Sequence, residues 1–227
     1  MAAEATKTKD LFGQLEKAVF KGKGIDIGCG PDPILPDVKR FDQNDGDANH
    51  ISEYVHEKFD FVFSSHCLEH MYDPYAALKE WWKLVKEGGY LYVTVPEEDL
   101  YEQGHWPSIY NSDHKHTFTM YKDKSWSPVS VNVLDLVRSL PDAQVIKVEL
   151  QDYGYDYTLK DVDQTYCNDA MAQICIVLRK GSPRKQIDRP RSFLMQPKKY
   201  FFYLRREGCR LKLYFGSKKL LSVRVRK

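Results

Sequence analysis

The chain has 227 residues, 42% of them hydrophobic and 13% aromatic, enough for a sizeable core, which excludes general disorder. The formal net charge of +2 conceals a division: residues 1–179 hold 18 Lys+Arg against 30 Asp+Glu, net −12, whereas residues 180–227 hold 16 against 2, net +14. Unbroken apolar runs are only a few residues long, which excludes a membrane-spanning helix, and residues 1–10 (MAAEATKTKD) lack the apolar stretch of a secretory signal.

Residues 10–20 (DLFGQLEKAVF) space their apolar positions as a helix does. Residues 24–28 (GIDIG) read as a short strand running into CGPDP, residues 38–42 as a second strand and residues 59–64 (FDFVFS) as a third. Residues 73–86 predict a helix: Asp73 caps it, Pro74 suits its first turn, and Leu78, Trp81, Trp82 and Val85 make its buried stripe. Gly88 and Gly89 are expected to stop it. Residues 90–95 (YLYVTV) predict a strand ended by Pro96, residues 130–140 a helix capped by Ser130 and closed by Pro141, and residues 145–150 and 171–179 two late strands. Strands alternating with helices predict an α/β fold with a mainly parallel, doubly wound sheet.

The charge break near Lys180, with Gly181, Pro183, Pro190 and Pro197 after it, marks residues 181–198 as a linker. Residues 199–227 alternate apolar and basic positions around GSKK and predict a small basic β-hairpin extension, with residues 200–204 as a candidate third strand. The domain order is then an N-terminal helix over 1–22, an α/β body over 23–180, the linker and the hairpin. Five scattered cysteines, Cys29, Cys67, Cys167, Cys175 and Cys209, form no CxxC, so neither a disulfide framework nor a zinc ribbon is expected. A reduced, cytoplasmic protein is the simplest reading.

The most informative stretch is IDIGCGP at 25–31, where a strand runs into the turn Gly28-Cys29-Gly30. Glycines there let the backbone approach a ligand and take positive φ. In a doubly wound sheet such a turn borders the crevice beyond the strands' carboxyl ends. A third glycine is missing, and Pro31, Pro33 and Pro36 obstruct the helix that would receive a pyrophosphate.

Five elements occur in order: DIGCGP at 26–31, Asp42 after the second strand, GDA at 46–48, FDFVFSSHCLEH at 59–70 and KEGGYLYVTVP at 86–96. With these, residues 23–180 resemble the class I S-adenosylmethionine-dependent methyltransferases, particularly the methyltransferase type 11 group. The resemblance implies a seven-stranded Rossmann-like sheet with an antiparallel late strand, and S-adenosyl-L-methionine as cofactor. It implies that the turn of Asp26, Gly28 and Gly30 packs on the methionine end. Asp42 would hold the ribose hydroxyls, Asp47 and Ala48 would meet adenine, and Ser65 and His66 would face the cofactor. The short proline-rich connection from Gly30 to Val38 leaves Asp45 or Asp47 as alternatives to Asp42.

In HCLEH, the i, i+3 and i+4 spacing brings His66, Glu69 and His70 together as candidate metal ligands, although the favoured reading of this stretch is structural, with no metal. The ubiquinone-biosynthesis O-methyltransferases are similar here, with a Glu-x-x-Glu-His run that binds magnesium. His66 replaces the first Glu, and magnesium prefers oxygen ligands. The second cluster, NSDHKH at 111–116, follows Tyr101, Trp106 and Tyr110 in a long connection. Tyr101, Trp106, Tyr110 and Asn111 are expected to bind the acceptor. His114 or His116 is expected to take its proton, with His70 next. The NSDHKHTFT run resembles methyltransferases encoded with polysaccharide and lipopolysaccharide assembly enzymes, which implies a sugar or glycan hydroxyl as acceptor and a role in polysaccharide biosynthesis. A quinone- or polyketide-like acceptor, or an inactive binding module, are the alternatives. The basic residues 181–227 suit an anionic membrane surface or a lipid-linked glycan pyrophosphate, with peripheral placement at the inner membrane, or packing on the acidic body. Nucleic acid is not expected, since no motif that reads it is present.

Overall fold

The computed structural model describes residues 4–167 and 169–181, with strand backbone at 202–207, 210–215 and 218–224. Two compact units divide the chain, residues 1–182 and 183–227. The first unit opens with α1 (Glu4–Asp10), α2 (Gln14–Val19), β1 (Gly24–Ile27) and β2 (Lys39–Phe41). β3 (Phe59–Ser65), α3 (Pro74–Lys83) and β4 (Val85–Pro96) follow. Then come β5 (Thr117–Thr119), β6 (Ser130–Asn132), α4 (Val133–Arg138), β7 (Ala143–Gln151), α5 (Gln164–Cys167) and β8 (Gln173–Lys180). Short 3₁₀ turns lie at Ala48–Glu53 and Leu68–His70.

Six strands form one sheet in the order β2-β1-β3-β4-β8-β7. β1 pairs in parallel with β2 and β3, and β3 with β4, while β8 runs antiparallel between β4 and β7. The fold is therefore a mixed, mostly parallel α/β sheet of the Rossmann-like kind, with six strands among the described residues where seven were expected. A further strand between β2 and β3 has no room. Between β2 and β3, residues 42–58 hold an Asp42–Asp45 turn and a 3₁₀ helix, whereas a parallel strand needs a crossover of a dozen residues or more in addition to itself.

Alternate residues along the central strands serve opposite faces. Phe61, Phe63, Tyr92, Cys175 and Val177 pack with Val19 of α2 on one side. Val62, Leu91, Val93, Ile174 and Ile176 pack with Leu78, Trp81 and Trp82 of α3 on the other. Both α3 indoles are buried and satisfied: Trp81 Nε1 donates to the Ala48 carbonyl and Trp82 Nε1 to the Pro141 carbonyl, each at 2.9 Å. Asp73 caps α3 by accepting from the Tyr75 and Ala76 amides.

Three local expectations change. The leading helix is two helices, because Glu16 accepts from the Gly13 amide at 2.9 Å and starts α2 anew. Ser130 lies in β6, its hydroxyl donating to Glu98. Asn132 caps α4 instead, accepting from the Leu134 and Asp135 amides. α3 ends at Lys83, before Gly88 and Gly89, and β4 already runs through both glycines.

In the second unit, β9 (Phe202–Glu207), β10 (Arg210–Phe215) and β11 (Lys218–Arg224) form an antiparallel sheet in the order β11-β10-β9. Leu213 registers with Leu221 on one side and Leu204 on the other. The linker expected over 181–198 falls, beyond Gly181, outside the described residues, as does the turn of the hairpin. Among the described residues no helix is long and apolar enough to cross a membrane.

Candidate active site

A cleft of about 420 Å³ opens where the carboxyl ends of β1, β3 and β4 meet. Its floor is the glycine turn. Gly28 has φ +75°, its amide donates to the Phe41 carbonyl at 2.8 Å, and a Cβ there would sit 2.7 Å from Cys67 Sγ. Gly30 has φ +50°, and a Cβ there would meet no atom within 4 Å. The turn is thus pressed against the protein at Gly28 and bare at Gly30, which fits the close approach of a cofactor. Asp26 lies buried beneath, its Oδ2 accepting the Ile34 amide at 2.7 Å and so fixing the loop that follows the turn. Burial pushes the Asp26 carboxyl up to about 7.

Asp42, Asp47 and Ala48 do not line the cleft. They form a neighbouring ledge past β2, whose Phe41 is paired with Ile27 of β1. The Asp42 amide donates to Asp45 Oδ2 at 2.9 Å, and its Oδ1 accepts from the Gln43 amide at 2.8 Å. Asp45 is therefore engaged in holding the turn. Asp47 caps the 3₁₀ helix, with Oδ1 accepting both the backbone and the side-chain N–H of Asn49. These bonds hold its carboxyl below the usual range. Ala48 contributes its carbonyl to Trp81.

Ser65, the last residue of β3, and His66 after it line the cleft. Ser65 Oγ accepts from Thr94 Oγ1 at 2.9 Å, and His66, at φ +51°, places Nε2 2.7 Å from Gln173 Oε1. From the opposite wall come Tyr101, Tyr110, Asn111 and His114. The Glu69 carbonyl accepts the Lys115 amide at 2.9 Å and the His116 amide at 3.2 Å, which moors this loop to the 3₁₀ turn Leu68–His70. Tyr101 packs on His114 with ring centroids 5.2 Å apart and on Tyr110 at 5.8 Å. Trp106 and His116 do not line the cleft. His116 Nε2 is 3.2 Å from the Tyr72 carbonyl oxygen. The wall also includes Glu4 of α1 and Thr165 of α5, unseen in the sequence; Lys7 ties these helices together by donating to the Thr165 carbonyl at 2.8 Å.

Buried acids organise the loop after β4. Glu98, fully buried, accepts from Thr117, Ser125, Ser130 and Lys122. Glu102 is 1% exposed, and its Oε1 lies 2.7 Å from His114 Nδ1. That bond directs His114 Nε2 toward the cleft. Glu69 is also fully buried, and neither of its carboxyl oxygens has a hydrogen-bond partner. His70 Nε2 and His114 Nε2 each stand 3.9 Å from Glu69 Oε1. His66 Nδ1 also stands 3.6 Å from Glu69 Oε1, but among the described residues the three side chains whose ligand atoms all lie within 4.8 Å of one another are Glu69, His70 and His114, not the expected His66, Glu69 and His70.

Residues 8–160 match the family described as "Methyltransferase domain". None of the curated proteins matches the chain. Solved structures similar to it include an S-adenosylmethionine-dependent methyltransferase of Thermotoga maritima described as a possible histamine N-methyltransferase, at 19% identity, covering 79% of this chain and 88% of that one with a TM-score of 0.44. Another, from Archaeoglobus fulgidus, is 17% identical, with 79% and 95% covered and a TM-score of 0.47. A third, from Clostridium acetobutylicum, is 12% identical, with 79% and 91% covered and a TM-score of 0.46. With the domain match spanning well over half of its length, the chain belongs to the methyltransferase-domain family and is an enzyme of S-adenosylmethionine-dependent methyl transfer.

Proposed function

We propose that the protein is an O-methyltransferase whose acceptor is a hydroxyl of a sugar or glycan. The observation that carries this reading is the cleft itself, which joins the bare Gly30 side of the glycine turn to Tyr101, Tyr110, Asn111 and His114 in one space. Gly28 and Gly30 admit the methionine end of the cofactor, Asp26 fixes the turn, and Ser65 and His66 border it. Asp42 accepts from the ribose hydroxyls, and Asp47 and Ala48 meet the adenine. S-adenosylmethionine supplies an electrophilic methyl group on a sulfonium.

The chain's own part is alignment and proton removal. Holding the acceptor oxygen in line with the methyl carbon supplies much of the rate. Tyr101 and Tyr110 offer faces for a sugar ring, and Asn111 offers both a donor and an acceptor to its hydroxyls. The proton is withdrawn at the imidazoles of His114 and His70, whose Nε2 atoms flank Glu69. Incubation with the cofactor and a panel of sugar nucleotides and lipid-linked glycans, read by mass spectrometry, tests this. A one-methyl gain on a sugar is expected; gain only on quinones or amines refutes the acceptor class. The net +14 of residues 180–227 supports contact with an anionic surface. Salt-sensitive liposome pelleting that is lost on deletion of residues 183–227 is expected, and unchanged pelleting refutes it.

A further inference from the structure

The geometry points to a divalent transition-metal site formed by Glu69, His70 and His114, open to the cleft on its remaining coordination positions. Their ligand atoms lie within 4.8 Å of one another. The two Nε2 atoms stand 3.9 Å from Glu69 Oε1, too far for hydrogen bonds and within the span that a central ion with bonds of ~2.0–2.2 Å draws together.

Three independent features prepare the site. Glu69 is fully buried with both oxygens unpartnered, an arrangement a folded protein rarely leaves uncompensated. Both imidazoles are oriented from behind. Glu102 Oε1 lies 2.7 Å from His114 Nδ1 and Asp113 Oδ2 lies 2.9 Å from His70 Nδ1, so each ring turns its Nε2 lone pair on Glu69. Carboxylate–histidine pairs of this kind are the usual support of metal-bound histidine. Finally, among the described residues Glu69 and Glu102 meet no Lys or Arg in an ion pair, only imidazoles. A divalent cation supplies the missing positive charge.

Two nitrogens and one oxygen select a borderline ion such as Zn²⁺, Fe²⁺ or Co²⁺ over Mg²⁺, which demands oxygen. The third ligand comes from the loop after β4, far from HCLEH in sequence; His66 stands beside the site, its Nδ1 3.6 Å from Glu69 Oε1 and its Nε2 2.7 Å from Gln173 Oε1. This inference deepens the proposed function and rests on it only for the acceptor. With an ion bound, Glu69, His70 and His114 would hold it, and it would supply the activation of the acceptor hydroxyl that the two free imidazoles give in the metal-free protein.

The test is calorimetric titration of chelator-stripped, full-length protein with Zn²⁺, Co²⁺ and Mg²⁺, with uptake of S-adenosylmethionine measured in parallel. Saturable Zn²⁺ uptake, visible d–d absorption with Co²⁺ and no saturable Mg²⁺ uptake are expected. Glu102→Gln should weaken Zn²⁺ binding by ~10–100-fold and His70→Ala by at least as much, while His105→Ala leaves it unchanged. His70 is partly exposed, so its variant keeps the fold. The site is refuted if protein that still takes up S-adenosylmethionine binds neither Zn²⁺ nor Co²⁺, or if His70→Ala and Glu69→Gln both leave the affinity intact. Metal uptake without cofactor uptake upholds the site and counts against the methyl-transfer reading instead.

Discussion

His114 Nδ1 and Glu102 Oε1 lie 2.7 Å apart, and both side chains are buried at the wall of the cleft. The pair fixes which nitrogen of His114 faces the acceptor. His114→Ala should therefore lower turnover by ~100-fold or more while leaving cofactor affinity unchanged, and His116→Ala should cost far less. Steady-state kinetics beside a cofactor titration checks this, and equal losses in both variants would contradict the placement.

Asp42 is proposed to accept two ribose hydroxyls from the ledge past β2. Asp42→Ala should weaken S-adenosylmethionine binding by roughly 10–100-fold, the worth of one or two hydrogen bonds to a charged acceptor. Asp45→Ala acts on the same turn through the Asp42 amide and should weaken binding less. Calorimetry distinguishes the two.

The carboxyl of Asp26 is raised by burial from an ordinary value of 3.8 to about 7. Protonation therefore favours the folded state. This contribution is fully present below about pH 4 and is lost as pH rises through 7. Asp26→Asn keeps an acceptor for the Ile34 amide and has nothing to ionise. Its thermal midpoint should gain on the wild type steadily from pH 5 to pH 8. A constant difference across that window would show that Asp26 is not titrating there.

Trp81 is fully exposed to the core and not at all to water, and its indole N–H is bonded to Ala48. Trp81→Ala should cost about 3–5 kcal/mol in denaturant unfolding, and Trp81→Phe clearly less. A loss below about 1 kcal/mol would mean that the sheet's α3 face tolerates a void there.

The sequence made much of the scaffold readable because its signals are local. Asp73 and Pro74 announce α3 where it begins, and the nearly unbroken apolar runs FDFVFS and YLYVTV are what a strand buried on both faces needs. One boundary shifted through a side chain acting at a distance. Ser130 cannot cap a helix while its hydroxyl serves Glu98, a partner 32 positions earlier. Glu97, Glu98 and Glu102 are all buried: Thr117 and Lys122 return to meet Glu98 and His114 to meet Glu102, while Glu97 accepts the amides of Asp99 and Leu100. Spacing within HCLEH suggested His66 as the neighbour of Glu69 and His70. His66 Nδ1 does stand 3.6 Å from Glu69, but its Nε2 is 2.7 Å from Gln173 Oε1, and the fold brings His114 in from another loop, a meeting that no local period encodes.

Among the described residues β2 is the outer margin of the sheet, with no strand beyond it. A bare border of this kind invites other chains to zip on, and here it is only three residues long with both Lys39 and Arg40 exposed along it. Its brevity, and two long basic side chains of which Lys39 is paired with Glu57 at 2.9 Å, give a second copy little template and guard the sheet against stacking into fibrils at that edge.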